Sequence, residues 1–124
     1  MADYVFRVRF RVEPTDPAVS LAPDSFETVL RKRAATPGEG DWLFFRDNLW
    51  HGEVNDEQYL RETASETLGV EVESVTFSEL VCDEAYLDAL RAEITDTLDL
   101  FRADDATDVL SKYLGSSLRV EKAG

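Results

Sequence analysis

One cysteine, one histidine and three lysines among 124 residues leave this chain poor in several of the side chains that most often do chemistry. Cys82 alone cannot close an internal disulfide, and a chain without disulfides is expected in the reducing cytoplasm. A single His and a single Cys cannot build a zinc site within the chain. The acid pairs, Glu71 with Glu73 and Asp104, Asp105 with Asp108, do not follow the order of a calcium-binding loop. No glycine-rich phosphate loop is present: Gly38 and Gly40 belong to a turn, and no helix pattern opens after them. Apolar runs stop at four or five residues, too short to span a membrane. The start, Met1-Ala2-Asp3-Tyr4, carries an acid where a signal peptide carries cations. These absences lead us to expect no catalytic residue, no cofactor and no metal. The length predicts a single domain over 1–124, large enough for one core.

Carboxylate is what the chain has in abundance. Asp and Glu contribute 26 residues, thirteen of each, against 13 Lys and Arg, for a net charge of −13. Ten of those cations are arginine. Such an excess repels itself in dilute buffer but keeps the chain dissolved. In brine the cost vanishes, because the screening length falls to about 3 Å at 1 M salt. The lysine-poor, aspartate-rich balance therefore predicts a salt-in halophile, with most acids serving as hydrated surface. The charge is also uneven: residues 1–33 hold six cations and five acids, net +1, and residues 34–124 hold seven against twenty-one, net −14.

Residues 4–12 alternate strictly. Tyr4, Phe6, Val8, Phe10 and Val12 point one way and Arg7, Arg9 and Arg11 the other, the pattern of a half-buried strand. Prolines 14, 17 and 23 mark an irregular stretch. Residues 26–33 suit a strand or a helix, and we read a strand. A turn at 36–40 leads into Trp42-Leu43-Phe44-Phe45, which reads as a second hairpin arm, apolar on both faces. Asn55 with Gln58 resembles a capping box for a helix ending at Gly69. Asp83 caps a helix whose stripe is Leu87, Leu90, Ile94, Leu98 and Phe101. Asp104 or Asp105 starts a third that ends at Gly115. Between the first two, 70–81 reads as a strand with a slip of phase between Val72 and Val75, hence a late start or a bulge. Leu118-Arg119-Val120 adds a short last strand. The expected fold is α+β: a mainly antiparallel sheet of four to five strands with about three helices packed on one face.

Two groups of residues are candidates for contact with a ligand or partner. Arg7, Arg9 and Arg11 form a row of one sign. Such a row can hold phosphate or single-stranded nucleic acid when aromatics serve as stacking platforms, but here the aromatics lie on the opposite face and the net charge repels polyanions. Pairing with acids across strands or on another chain is the plainer account. The second group, Arg46, Asn48, Trp50, His51 and Glu53, leaves a strand and enters a capped helix. It could line a small pocket or form a hydrogen-bonded turn around a core Trp. Cys82 and His51, with Asp47 as orienter, could make a nucleophile–base pair, but nothing in their spacing requires it.

This segment is distinctive enough to compare. Residues 42–54, WLFFRDNLWHGEV, resemble a group of short haloarchaeal proteins called LWR-salt after a Leu-Trp-Arg motif. The runs DEAYLDAL at 83–90 and KYLGSS at 112–117 resemble it too. Leu49 and Trp50 match the motif, while position 51 is His in place of Arg. The resemblance implies a halophilic archaeal source and supplies no catalytic residues, since the group has no assigned activity. The expected function is a cytoplasmic binding or interaction protein that self-associates, with nucleic acid and membrane not expected as partners. The alternative is a small enzyme or ligand binder with its pocket at Trp50 and His51.

Overall fold

A computed structural model describes residues 1–121, so Lys122 lies outside the described residues. Strand β1 (Ala2–Arg11) pairs antiparallel with β2 (Ser25–Arg33) on one side and with β5 (Glu71–Asp83) on the other. β6 (Leu118–Glu121) lies beside β5, so the sheet order is β2-β1-β5-β6. The alternation in β1 works as its sequence requires: Tyr4, Phe6 and Val8 are buried, and Arg7 and Arg9 face out.

β6 runs parallel to β5, so the sheet is mixed: antiparallel in its other two pairings, as expected, but not throughout. A parallel neighbour needs a long crossover. Here α3 (Glu84–Asp96) and α4 (Ala106–Leu114) provide it. The phase slip in β5 is a double bulge. Its register against β1 skips Ser78 and Glu73. The two extra residues bring Val72, Val75, Phe77, Leu80 and Cys82 all to the inner face despite their uneven spacing.

The aromatic run departs most from expectation. Trp42 and Leu43 lie in a turn, and Phe44–Asn48 form a short helix, α1, instead of a hairpin arm. A four-residue apolar run suits a strand or a buried helix equally by periodicity. Packing on two sides decides it: Phe44 meets Tyr4 at 4.7 Å between ring centroids, while Phe45 stacks on Phe101 at 5.8 Å. β2 therefore pairs with β1, across the irregular 12–24 connection. A two-stranded hairpin, β3 (Leu49–Trp50) with β4 (Glu53–Val54), follows α1.

Helix α2 (Glu57–Leu68) is capped by Asp56, whose carboxylate accepts from the Tyr59 N–H at 3.1 Å, one residue after the expected Asn55. Asn55 instead donates from its side chain to the Asp47 carbonyl, closing the loop before the helix. Gly69 ends α2 in the left-handed conformation, as expected. Asp83 and Asp105 cap α3 and α4. α3 stops at Asp96 and gives way to a 3-10 turn at Leu98–Leu100. Its buried stripe is therefore Tyr86, Leu90 and Ile94, and Phe101 reaches the core from beyond the helix. The helices contribute Leu60, Ala64, Leu90, Ile94, Val109 and Leu114 to a core shared with the inner faces of β1 and β5. Each of these except Ala64 is worth about 1.5–3 kcal/mol.

Candidate functional site

The two groups of candidate residues lie on opposite sides of the sheet. Arg46, Asn48, Trp50, His51 and Glu53 sit on α1 and the β3–β4 hairpin, on the helical side. Arg7, Arg9 and Arg11 sit on the bare side.

On the helical side, the hairpin turn closes on the end of α4. His51 and Gly52 both have positive φ, 51° and 77°, as a two-residue hairpin turn with the twist of its strands requires. The His51 N–H donates to the Lys112 carbonyl at 2.7 Å and the Gly52 N–H to the Tyr113 carbonyl at 3.0 Å. Two carbonyls that the last turn of α4 leaves open are thus satisfied by the hairpin backbone. A Cβ at Gly52 would stand 2.9 Å from the Leu114 carbonyl oxygen, so only glycine fits. Leu49 is wholly buried, and Trp50 lies edge-on to Tyr113 at 5.4 Å while staying 47% exposed. Trp50 is therefore a half-exposed cover over the α4 end. Asn48 donates from its amide to the Phe44 carbonyl and accepts the Asn55 N–H on its own carbonyl. Arg46 pairs with Asp47 at 2.9 Å. The motif residues Leu49, Trp50 and His51 work here as a clasp, chiefly through backbone and packing.

An apolar cleft lies beside this clasp. About 290 Å³ opens between α2, α1 and the inner face of β2, walled by Phe6, Leu30, Phe44, Tyr59 and Leu60. Lys32 stands at its rim, 2.9 Å from Asp41 and 4.9 Å over the Phe44 ring. Of the candidate residues, Asn48 reaches its wall.

Cys82 is buried on the inner face of β5. Burial, and then the neighbouring Asp83, push its thiol up from its ordinary value, the reverse of what a nucleophile needs. Among the described residues no group of three or more His, Cys, Asp or Glu is gathered as a metal site would be.

On the bare side, the arginine row is wider than residues 7–11 suggest. The β1 register places Arg31 opposite Val5 and Arg33 opposite Asp3, and the β5 register places Arg119 beside Val81. Six of the ten arginines thus share one sheet face. Asp3 takes both Arg31 (3.5 Å) and Arg33 (2.9 Å), Arg119 meets Glu79 at 3.0 Å, and Arg11 meets Glu73 at 3.3 Å. Arg7 reaches Glu27 only at 4.0 Å, and Arg9 makes no ion pair among the described residues. Pairs this exposed contribute about 0–1 kcal/mol each. Val5 and Val81 are buried on this face, apart from the main core. The sequence reading missed Arg31, Arg33 and Arg119, because their shared face follows from strand register. The His-Gly turn was a legible signal that it did not use.

No helix among the described residues is long and apolar enough to cross a membrane. No curated protein and no solved structure matches the chain. A family model described as LWR-salt protein matches residues 1–124, and the chain belongs to that family.

Proposed function

We propose that this LWR-salt protein is a salt-adapted interaction protein of a halophilic archaeal cytoplasm, which acts by binding and associates with itself. One observation carries the reading: the sheet is covered by helices on a single side, leaving an arginine-rich face and the nine-residue edge strand β2 open. Open edges are ready templates for another strand, and two-fold dimers are the commonest closed homo-oligomers. The arginine face lacks the aromatics that stack bases, which favours a protein partner over nucleic acid. The carboxylate surplus supports the salt adaptation. Sedimentation equilibrium in about 2 M salt, where charges are screened, tests self-association. A mass of two chains is expected, and a single-chain mass at every concentration overturns it.

A second reading, a small-molecule binder, is favoured by the cleft beside Lys32 and not by Trp50 and His51. An apolar wall with one cation at the rim suits a molecule with an apolar body and an anionic end. An anionic fluorescent dye such as anilinonaphthalene sulfonate tests it. Binding that Lys32→Met abolishes supports the reading, and binding indifferent to that change counts against it.

A further inference from the structure

Among the described residues, β2 is hydrogen-bonded to a neighbouring strand on one side only. The Asp24 carbonyl accepts the Val12 N–H at 2.9 Å, and the Ala34 N–H donates to the Ala2 carbonyl at 2.9 Å. In an antiparallel ladder, alternate residues turn both backbone groups to the same neighbour. The even-numbered residues between these ends therefore face β1. Ser25, Glu27, Val29, Arg31 and Arg33 turn their N–H and C=O groups to the open edge.

We propose that two copies of this chain join β2 to β2, antiparallel, about a two-fold axis at Val29, making one continuous eight-stranded sheet. The proposal rests on the self-association reading and adds the surface and the register. An axis at Val29 sets Val29 against itself, Glu27 against Arg31 of the second copy, and Ser25 against Arg33. It is the register that pairs all five outward-facing residues. Glu27 and Arg31 then form opposite-charge pairs twice over. Val29, 58% exposed in the single chain, finds an apolar neighbour. On the inner face, Phe26, 40% exposed, meets the Lys32 stem of the second copy. Moving the axis to Thr28 sets Glu27 against Val29, and moving it to Leu30 leaves Ser25 unpaired. Parallel pairing in register would lay Arg31, Lys32 and Arg33 beside their own copies, which repel.

The test uses Val29→Cys, Val29→Pro and Arg9→Cys, all in about 2 M salt. Backbone-paired residues stand about 5.5 Å apart between Cα atoms, within disulfide reach. Val29→Cys is expected to form a disulfide-linked dimer on mild oxidation. Arg9→Cys, in the middle of the sheet face, is expected to stay unlinked. Cys82 is buried and does not compete. Val29→Pro removes an N–H that β1 does not use. It is expected to weaken the dimer at least about tenfold in Kd, or about 1.4 kcal/mol, with the thermal melt retained. A wild-type dimer that survives Val29→Pro, or that links through Arg9→Cys and not Val29→Cys, overturns the edge pairing and leaves self-association standing. A wild-type monomer overturns both. If Val29→Pro does not fold, the two cysteine variants decide.

Discussion

Along β1, Val8 is wholly buried while the side chain of its neighbour Arg7 is 65% exposed, one step along the same strand. That contrast extends across the whole sheet. The inner side is closed by four helices, interlocked aromatics and a hairpin that completes a helix end. No helix covers the outer side among the described residues: Val5 and Val81 are buried there, and the ion pairs beside them are exposed. The acid surplus is concentrated in residues 34–124, net −14, which include all four helices, while residues 1–33 carry net +1. Core packing is thus confined to one side of the layer, and the arginines to the other. The family motif lies on the side that holds the fold together.

Removing salt challenges that division hardest. Dialysis from about 2 M to about 20 mM salt lengthens screening beyond about 10 Å. The acidic helical layer then repels itself, and we expect the cooperative melt followed by circular dichroism to be lost. A melt equally sharp and equally high in both solutions would contradict the halophilic reading. Next comes Phe45→Ala, expected to cost about 4 kcal/mol in denaturant titration, since Phe45 is wholly buried against Phe101 and Trp42. Gly52→Ala is expected to cost about 2 kcal/mol, through the Leu114 carbonyl and the positive φ. His51→Gly keeps both N–H donors and is expected to stay within about 1 kcal/mol of wild type. If the two changes cost the same, the clasp does not act through its backbone.

Tyr86 offers a milder probe. Its hydroxyl donates to the Ala35 carbonyl at 2.9 Å, and burial pushes it up to about 12 from 10.0. A raised value means that the folded form holds the proton more tightly. The stabilisation is complete below about 10 and is lost as pH climbs through about 12. Tyr86→Phe is expected to cost about 1 kcal/mol near neutrality and to flatten the alkaline limb of a stability–pH curve. The smallest effect belongs to the bare side: Arg9→Ala is expected to shift stability by less than about 0.5 kcal/mol. A larger loss would mean that the arginine face supports the fold.

Local patterns were legible where one face of one element decides the outcome. The β1 alternation, the caps at Asp83 and Asp105 and the left-handed Gly69 all depend on neighbours within a few residues. The run 42–45 was misread because Phe44 and Phe45 pack on different partners, the sheet and Phe101, which no local period records. The α2 cap moved from Asn55 to Asp56 because Asn55 is drawn to the Asp47 carbonyl. At the candidate site, Trp50 and His51 stood out with Arg46, Asn48 and Glu53, and Gly52 did not. The partners of Trp50, His51 and Gly52, Lys112 and Tyr113, lie some sixty residues on and came to light only in three dimensions.

By itself the sequence determined the carboxylate surplus, its uneven spread along the chain and the secondary structure of the periodic segments. Those properties are sums over residues or follow from 2- and 3.6-residue repeats, so no distant contact can change them. Tertiary structure alone decided that β6 runs parallel to β5, that two bulges bring the β5 apolar residues to one face, and that six arginines meet on one surface with β2 left at the edge. Each of those outcomes depends on which strand lies beside which and in what register. That choice is made by the shared core, where the energy of burial is pooled among elements far apart in the chain.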